Sequence, residues 1–176
     1  TILVTGAGGS IGSELCRQII KQKPKQLLLV EISEYALYKI SNKLEEFKNI
    51  ETKIIPLIGS VQDSQRMESI ISIFKPATIY HAAAYKHVPI VEENLIEGLK
   101  NNLLGTYDLA KLALKNNVLN FVFISTDKAV RPTNIMGTTK RMAELSLQAL
   151  HEKSLTLSER ENKTKFSIVR FGNVLD

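Results

Sequence analysis

Short apolar runs rich in Val, Ile, Leu and Phe recur about 20 to 45 residues apart along the chain, and each is bounded by polar or turn-forming residues. They predict strands from Ile2 to Val4, Leu27 to Val30, Lys53 to Leu57, Thr78 to His81, Phe121 to Ile124 and Phe166 to Phe171. Between the strands the period changes. Met67, Ile70, Ile71 and Phe74 fall at i, i+3, i+4 and i+7, the stripe of an amphipathic helix, and Asp63 stands where a side chain caps the first turn. Leu37, Ile40, Leu44 and Phe47 form a second stripe of the same kind. Six strands alternating with five helices predict a doubly wound α/β domain, a parallel sheet covered on both faces, because right-handed crossovers leave few other ways to join such units. No internal repeat interrupts the pattern. The mostly polar stretch from Ser154 to Lys165 is expected to be a solvated loop or frayed helix end.

Composition narrows this picture. With 176 residues, 44% hydrophobic and 23% charged, residues 1–176 suffice for one core and not for two full-sized domains, and a disordered or collagen-like chain is excluded. No apolar run approaches the roughly 18 residues that span a bilayer, which predicts a soluble piece. The chain opens on a strand at Thr1 without a methionine and stops at Asp176 directly after another, so it reads as a segment of a longer protein. A net charge of +5 is spread along the chain rather than gathered into basic runs, which fits anionic small ligands and not nucleic acid. Cys16 is the only cysteine and cannot form an internal disulfide, as expected in a reducing compartment. His81, His87 and His151 are too scattered to suggest a metal site.

The first predicted strand runs into Thr5-Gly6-Ala7-Gly8-Gly9-Ser10-Ile11-Gly12. Glycines 6, 9 and 12 are spaced to turn the chain tightly into a helix and to let backbone N–H groups of the Ser10-Ile11-Gly12 segment approach a pyrophosphate at the positive end of the helix dipole. An acidic residue, Glu31, ends the second strand about 20 residues further on, where a carboxylate accepts hydrogen bonds from a ribose diol and repels a 2′-phosphate. No Arg or Lys occupies positions 32 or 33. The pattern predicts a dinucleotide-binding Rossmann domain that takes NAD in preference to NADP.

The fifth strand ends in Ser125-Thr126-Asp127-Lys128, and Met136 and Lys140 follow four residues apart on what should be one helix face. Together with His81-Ala82-Ala83-Ala84, Asn102-Leu103-Leu104-Gly105-Thr106 and Arg170-Phe171-Gly172-Asn173, these residues resemble the extended short-chain dehydrogenase/reductases. More narrowly they resemble the nucleotide-sugar 4,6-dehydratases of bacterial polysaccharide biosynthesis, typified by UDP-N-acetylglucosamine 4,6-dehydratase. The resemblance runs from Ile2 to Leu175 and is most specific over STDKAVRPTNIMGTTK and VRFGNV.

That resemblance implies a set of roles. Gly6, Gly9, Ser10, Ile11 and Gly12 would cradle the cofactor diphosphate; Glu31, Ser60, Val61, Ala82, Ala83, Ala84 and Asn102 would line the rest of the dinucleotide site; and Lys140 would hold the nicotinamide ribose and supply positive charge. Thr126 would bond the sugar hydroxyl at carbon 4, Asp127 would protonate the departing hydroxyl at carbon 6, and Lys128 would remove the proton from carbon 5. These roles call for a desolvated, protonated Asp127 and a buried, neutral Lys128. Lys86 and His87 would border the active site, and Asn173 would touch the diphosphate of a UDP-sugar. The resemblance further implies a substrate-binding region beyond Asp176, a membrane anchor upstream of Thr1, a catalytic part at the cytoplasmic face of the membrane, a homo-oligomer, and little or no turnover by the segment alone.

Three positions depart from the family pattern. Met136 stands where the superfamily carries a tyrosine, and a thioether accepts no proton, so the carbon 4 hydroxyl needs another base, either Asp127 or Thr126 through water. The substitution resembles the membrane-anchored branch of these dehydratases. Ser60 replaces an aspartate that faces the adenine, and Asp176 a glycine. Two alternatives stay open: a nucleotide-sugar 4-epimerase, against which Met136 and Lys128 count, and a dinucleotide-binding module without chemistry.

Overall fold

The computed structural model describes residues 1–47, 51–156 and 164–172. Six strands, β1 (Ile2–Thr5), β2 (Gln26–Glu31), β3 (Lys53–Ile58), β4 (Thr78–His81), β5 (Asn120–Thr126) and β6 (Lys165–Phe171), form one sheet in the order β3-β2-β1-β4-β5-β6 with every pair parallel. Helices cover both faces, so the central strands are apolar without alternation: Leu27, Leu28, Leu29 and Val30 are all buried. This is the doubly wound Rossmann topology, as the sequence pattern predicts. On one face, α1 (Ser10–Ile20) and α2 (Glu34–Glu45) pack Ile19, Ile20, Leu37 and Ile40 against Val4, Leu27 and Leu29. On the other, α3 (Ser64–Phe74), α6 (Gly105–Lys115) and α7 (Ile135–Thr156) pack against Leu3, Leu28, Ile79, Phe121 and Phe123.

The helix ends follow from local chemistry. Asp63 caps α3 by accepting a hydrogen bond from the Arg66 N–H at 2.9 Å, and Ser33 caps α2 by accepting one from the Ala36 N–H at 3.3 Å. α1 differs: its cap is Gly9, with no side chain to accept and no acidic residue in the first turn.

Two expectations are corrected, and a third is resolved to the helix-end alternative. Phe47 lies past the end of α2 and is 46% exposed, so the second stripe ends at Leu44. The β4-to-β5 crossover is not one helix but α4 (Val88–Glu93), α5 (Leu95–Leu99), a π-helical turn over Lys100–Leu104 and then α6. A π turn inserts one residue and aims side chains where a regular helix would not, here Asn101 and Asn102 into the interior. Finally, Ser154 to Thr156 continue α7. Residues 157–163 of the expected loop lie outside the described residues. Among the described residues, no helix is long and apolar enough to cross a membrane.

Candidate functional site

The winding of the chain reverses between β1 and β4, and loops diverge there at the carboxyl ends of the strands, opening the crevice in which such sheets bind ligands. The glycine loop forms one wall. Gly9 N–H donates to the Gly6 carbonyl at 3.1 Å, closing a tight turn, and Gly6 adopts φ +66°. A Cβ at Gly6 would lie 2.7 Å from the Ala83 backbone, and one at Gly12 would lie 1.9 Å from the Gly6 carbonyl oxygen, so neither position accepts a side chain. The N-terminal N–H groups of α1 are thereby brought to the crevice without a side-chain cap.

Glu31 is anchored before any ligand arrives. One carboxylate oxygen accepts from the Gly8 N–H at 3.0 Å, the other from the N–H groups of Ile32 at 2.9 Å and Ser33 at 3.2 Å. The carboxylate so tied joins the end of β2 to the glycine loop.

Two adjoining hollows make up the cleft. One, of about 270 Å³, is lined by Gly6, Gly9, Glu31, Ser60, Val61 and Ala82 to Ala84. The other, of about 640 Å³, is lined by Gly9, Ser10, Ile11, Gly12, Lys86, His87, Thr126, Lys128, Met136, Lys140 and the Phe171-Gly172 end of β6. Gly9, Ala82, Ala84 and Tyr85 line both, so the two hollows adjoin across the glycine loop and the 82–85 segment. Lys86 reaches across it, its ammonium donating to the Ser10 hydroxyl at 3.3 Å. Asp127 and Asn102 line neither hollow. Asn173 lies outside the described residues.

The chemistry at the strand ends departs from the sequence expectation in an instructive way. Asp127 is exposed, and its carboxylate accepts from the Thr126 hydroxyl at 3.0 Å and from the Lys128 ammonium at 3.5 Å. The Thr126 hydrogen bond, with Lys128 beside it, holds the Asp127 carboxyl below the usual carboxylate range. It is ionised, not the desolvated acid expected, and the Lys128 side chain is 39% exposed rather than buried. The physical reason is position: both follow the last residue of β5, in a 3₁₀ turn over Asp127–Ala129 that rises from the sheet into solvent.

Desolvation falls on Lys140 instead. It projects from the first turns of α7 beside Met136, both nearly fully buried, and donates to the Ile124 carbonyl at 2.9 Å with its ammonium 4.3 Å from the centre of the Phe123 ring. Burial drives its proton affinity down to about 7, against an opposing pull from the Glu144 charge.

Two buried polar networks were not legible beforehand. In the first, the His81 ring bonds the Thr5 hydroxyl at 2.7 Å and the Thr106 hydroxyl at 2.8 Å, and Thr106 in turn donates to the Asn102 carbonyl at 2.7 Å. Thr106 has spent its proton, so the hydrogen-bond pattern puts the ring proton on Nε2 and leaves Nδ1 to accept from Thr5. Burial, with Lys140 nearby, pushes His81 down to about 3, so the ring is neutral. The Asn102 amide clamps the Tyr85 backbone, accepting from its N–H at 2.8 Å and donating to its carbonyl at 2.9 Å, and also reaches Thr139 at 3.2 Å. Its place is therefore behind the cleft wall, shaping the 82–87 loop.

In the second network, the fully buried Glu144 accepts from Ser125 at 2.7 Å, from Arg170 through both carboxylate oxygens at 2.8 and 2.7 Å, and from Arg141 at 3.0 Å. Burial alone would raise its carboxyl, but these donors outweigh it and hold it at about 2. The signal that could have found Glu144 is its spacing, four residues beyond Lys140 on a helix face already apolar at Met136 and Ala143. Among the described residues, no cluster of His, Cys, Asp or Glu is arranged to hold a metal ion.

Comparison with known proteins places these features in context. A family model described as "Polysaccharide biosynthesis protein" matches residues 2–176. The chain is 47% identical over 175 residues to the capsular polysaccharide biosynthesis protein CapD of Staphylococcus aureus, covering 99% of this chain and 28% of that protein. It is 29% identical to a UDP-N-acetylglucosamine 4,6-dehydratase (inverting) of Campylobacter jejuni and 30% identical to a UDP-glucose 4-epimerase of Rickettsia canadensis, in each case over 99% of this chain and 49% of the relative. Among solved structures, Pen from Bacillus thuringiensis superposes with a TM-score of 0.85 at 30% identity, over 99% of this chain and 50% of that one. The chain thus spans half or less of the length of these relatives.

Proposed function

The chain belongs to the polysaccharide biosynthesis protein family, and from that premise we propose that it is the NAD-binding part of an enzyme that dehydrates a UDP-activated N-acetylhexosamine at carbons 4 to 6. The observation that carries the reading is the adjacency of the two hollows, which sets the glycine loop and Glu31 beside Thr126, Lys128, Met136 and Lys140 along shared lining residues.

The residues present fit a dinucleotide. Gly6 and Gly12 leave room for close backbone approach, the uncapped start of α1 suits a diphosphate, and the anchored Glu31 carboxylate suits a ribose diol and disfavours a 2′-phosphate. When bound, the nicotinamide supplies hydride transfer from and back to the sugar. The chain's own groups handle the protons. Thr126 donates its hydroxyl proton to Asp127, so its lone pairs remain to accept from a sugar hydroxyl. An ionised Asp127 takes the carbon 4 proton through Thr126 and, once carrying it, returns it by way of Thr126 to the hydroxyl that leaves carbon 6. Lys128, in its neutral form, removes the proton from carbon 5 and returns one there after water has left, and Lys140 holds the nicotinamide ribose. The ionised state of Asp127 suits this order, since the same carboxylate serves first as base and then as acid.

NMR of a reaction of the full-length protein with UDP-N-acetylglucosamine and NAD tests the reading. A 4-keto-6-deoxy product supports it. Recovery of only the starting sugar and its 4-epimer would establish the epimerase reading, which the 30% identity to a 4-epimerase favours. The membrane anchor, the cytoplasmic placement and the homo-oligomer belong to the same proposal for the whole protein.

A further inference from the structure

We propose that Glu144 is a positioning residue for the cleft: one buried carboxylate that locks the ends of β5 and β6 together and supplies the counter-charge beside which Lys140 holds its proton. Ser125 and Arg170 are cross-strand partners in the β5–β6 pair, and Thr126 and Phe171 are the next pair along. Glu144 bonds both members of the first pair, Ser125 at 2.7 Å and Arg170 at 2.8 and 2.7 Å. The second pair lines the cleft. One side chain therefore fixes two neighbouring strands at the cleft wall, which Ser125 itself helps to line.

The same helix turn carries Lys140, whose ammonium is tied to Ile124, the residue before Ser125. Met136, Lys140 and Glu144 lie at i, i+4 and i+8 of α7, and all three are buried. Among the described residues, the groups around Lys140 include no other carboxylate on the wall of the larger hollow. His81 on β4 is neutral, and the other titratable side chains on that wall are Tyr85, Lys86 and His87 from the 82–87 loop and Lys128 after β5, none of them a carboxylate. Asp127 points to solvent. On the buried side of Lys140, Glu144 is the anion present among the described residues, and Arg170 and Arg141 partly neutralise it. Its charge sets how readily Lys140 gives up a proton. This inference rests on the proposed contact of Lys140 with the nicotinamide ribose only for its catalytic consequence; the titration itself does not.

The experiment follows the side-chain carbon resonance of Lys140 through a pH titration of the chain without dinucleotide, with Lys140→Met identifying the signal. In Glu144→Gln the loss of the anion should lower the Lys140 midpoint by about one unit, while Glu144→Asp, which keeps the charge, should leave it near wild type. A brace that did no more than hold the strands would act oppositely, because a loosened site admits water and raises the midpoint toward the ordinary lysine range. An unchanged or raised midpoint in Glu144→Gln overturns the proposal. Should that variant fail to fold, Arg141→Gln gives the same decision at a half-exposed position: removing that cation should raise the midpoint by a few tenths of a unit, and no rise overturns it. Binding of NAD, titrated separately on wild-type chain, decides the dinucleotide reading independently of this result.

Discussion

Replacing Lys140 with methionine should make the protein more stable, and the margin should shrink as pH rises. Lys140 has an ordinary affinity of 10.5 in the unfolded chain and about 7 in the fold, where burial disfavours its charge. Between those values the unfolded state binds the extra proton, so folding expels it and stability rises with pH across that window. At 1.36 kcal/mol per unit, burying this amine costs about 4 kcal/mol at pH 7 and about 2 kcal/mol at pH 9. Methionine keeps the length of the side chain and a favourable contact with the Phe123 ring, but leaves the Ile124 carbonyl without its donor, a loss of about 1 kcal/mol. The expected net gain is about 3 kcal/mol at pH 7, closing to about 1 kcal/mol at pH 9. As pH rises through about 9 the Cys16 thiol, pushed up to about 12 by burial, ionises only in the unfolded chain and lowers the stability of both proteins alike, leaving the gap between them unaffected. Urea unfolding of wild type and Lys140→Met, at matched ionic strength and without dinucleotide, measures the gap directly. A variant no more stable than wild type at pH 7, or a gap that stays constant with pH, would refute the claim that this amine is buried at an energetic cost for the sake of the cleft.

Three other outcomes can be checked alongside. Gly12→Ala should abolish NAD binding in a calorimetric titration, since its Cβ would sit 1.9 Å from the Gly6 carbonyl oxygen and the turn must open to admit it. Because His81 is neutral in the fold down to about pH 3 but takes a proton near 6.5 when unfolded, stability should fall as pH drops from 6.5, by about 2–3 kcal/mol at pH 4.5. Acid unfolding monitored by circular dichroism should show His81→Gln spared most of that loss. Met136→Leu, a nearly volume-conserving change at a buried position, should cost less than about 1.5 kcal/mol by urea unfolding and leave most turnover of the full-length protein, whereas Asp127→Asn should lose most of it. The reverse order of effects in the turnover assay would return the proton chemistry to position 136.

The fold was legible because its determinants are local and periodic. Continuous apolar runs such as Leu27 to Val30 suit only strands covered on both faces, and glycines at 6 and 12 mark a turn that no side chain fits. The cleft residues were legible for a related reason: they sit at strand ends, where alternation of strand and helix already dictates that loops gather. What sequence could not supply was how much water each side chain would keep. Thr126 stays in the sheet while Asp127 and Lys128, the next two residues, owe their exposure to a 3₁₀ turn that follows the strand. Lys140, on an otherwise ordinary helical stripe, is the residue whose amine the packing strips of solvent. Asn102 turns inward because a π turn rotates it, and Glu144 becomes a clamp because Ser125 and Arg170, 45 residues apart in the chain, are register partners in the sheet. Periodicity is a property of neighbours along the chain and determined the elements; protonation and positioning depend on neighbours across the sheet, and only the tertiary structure decided those.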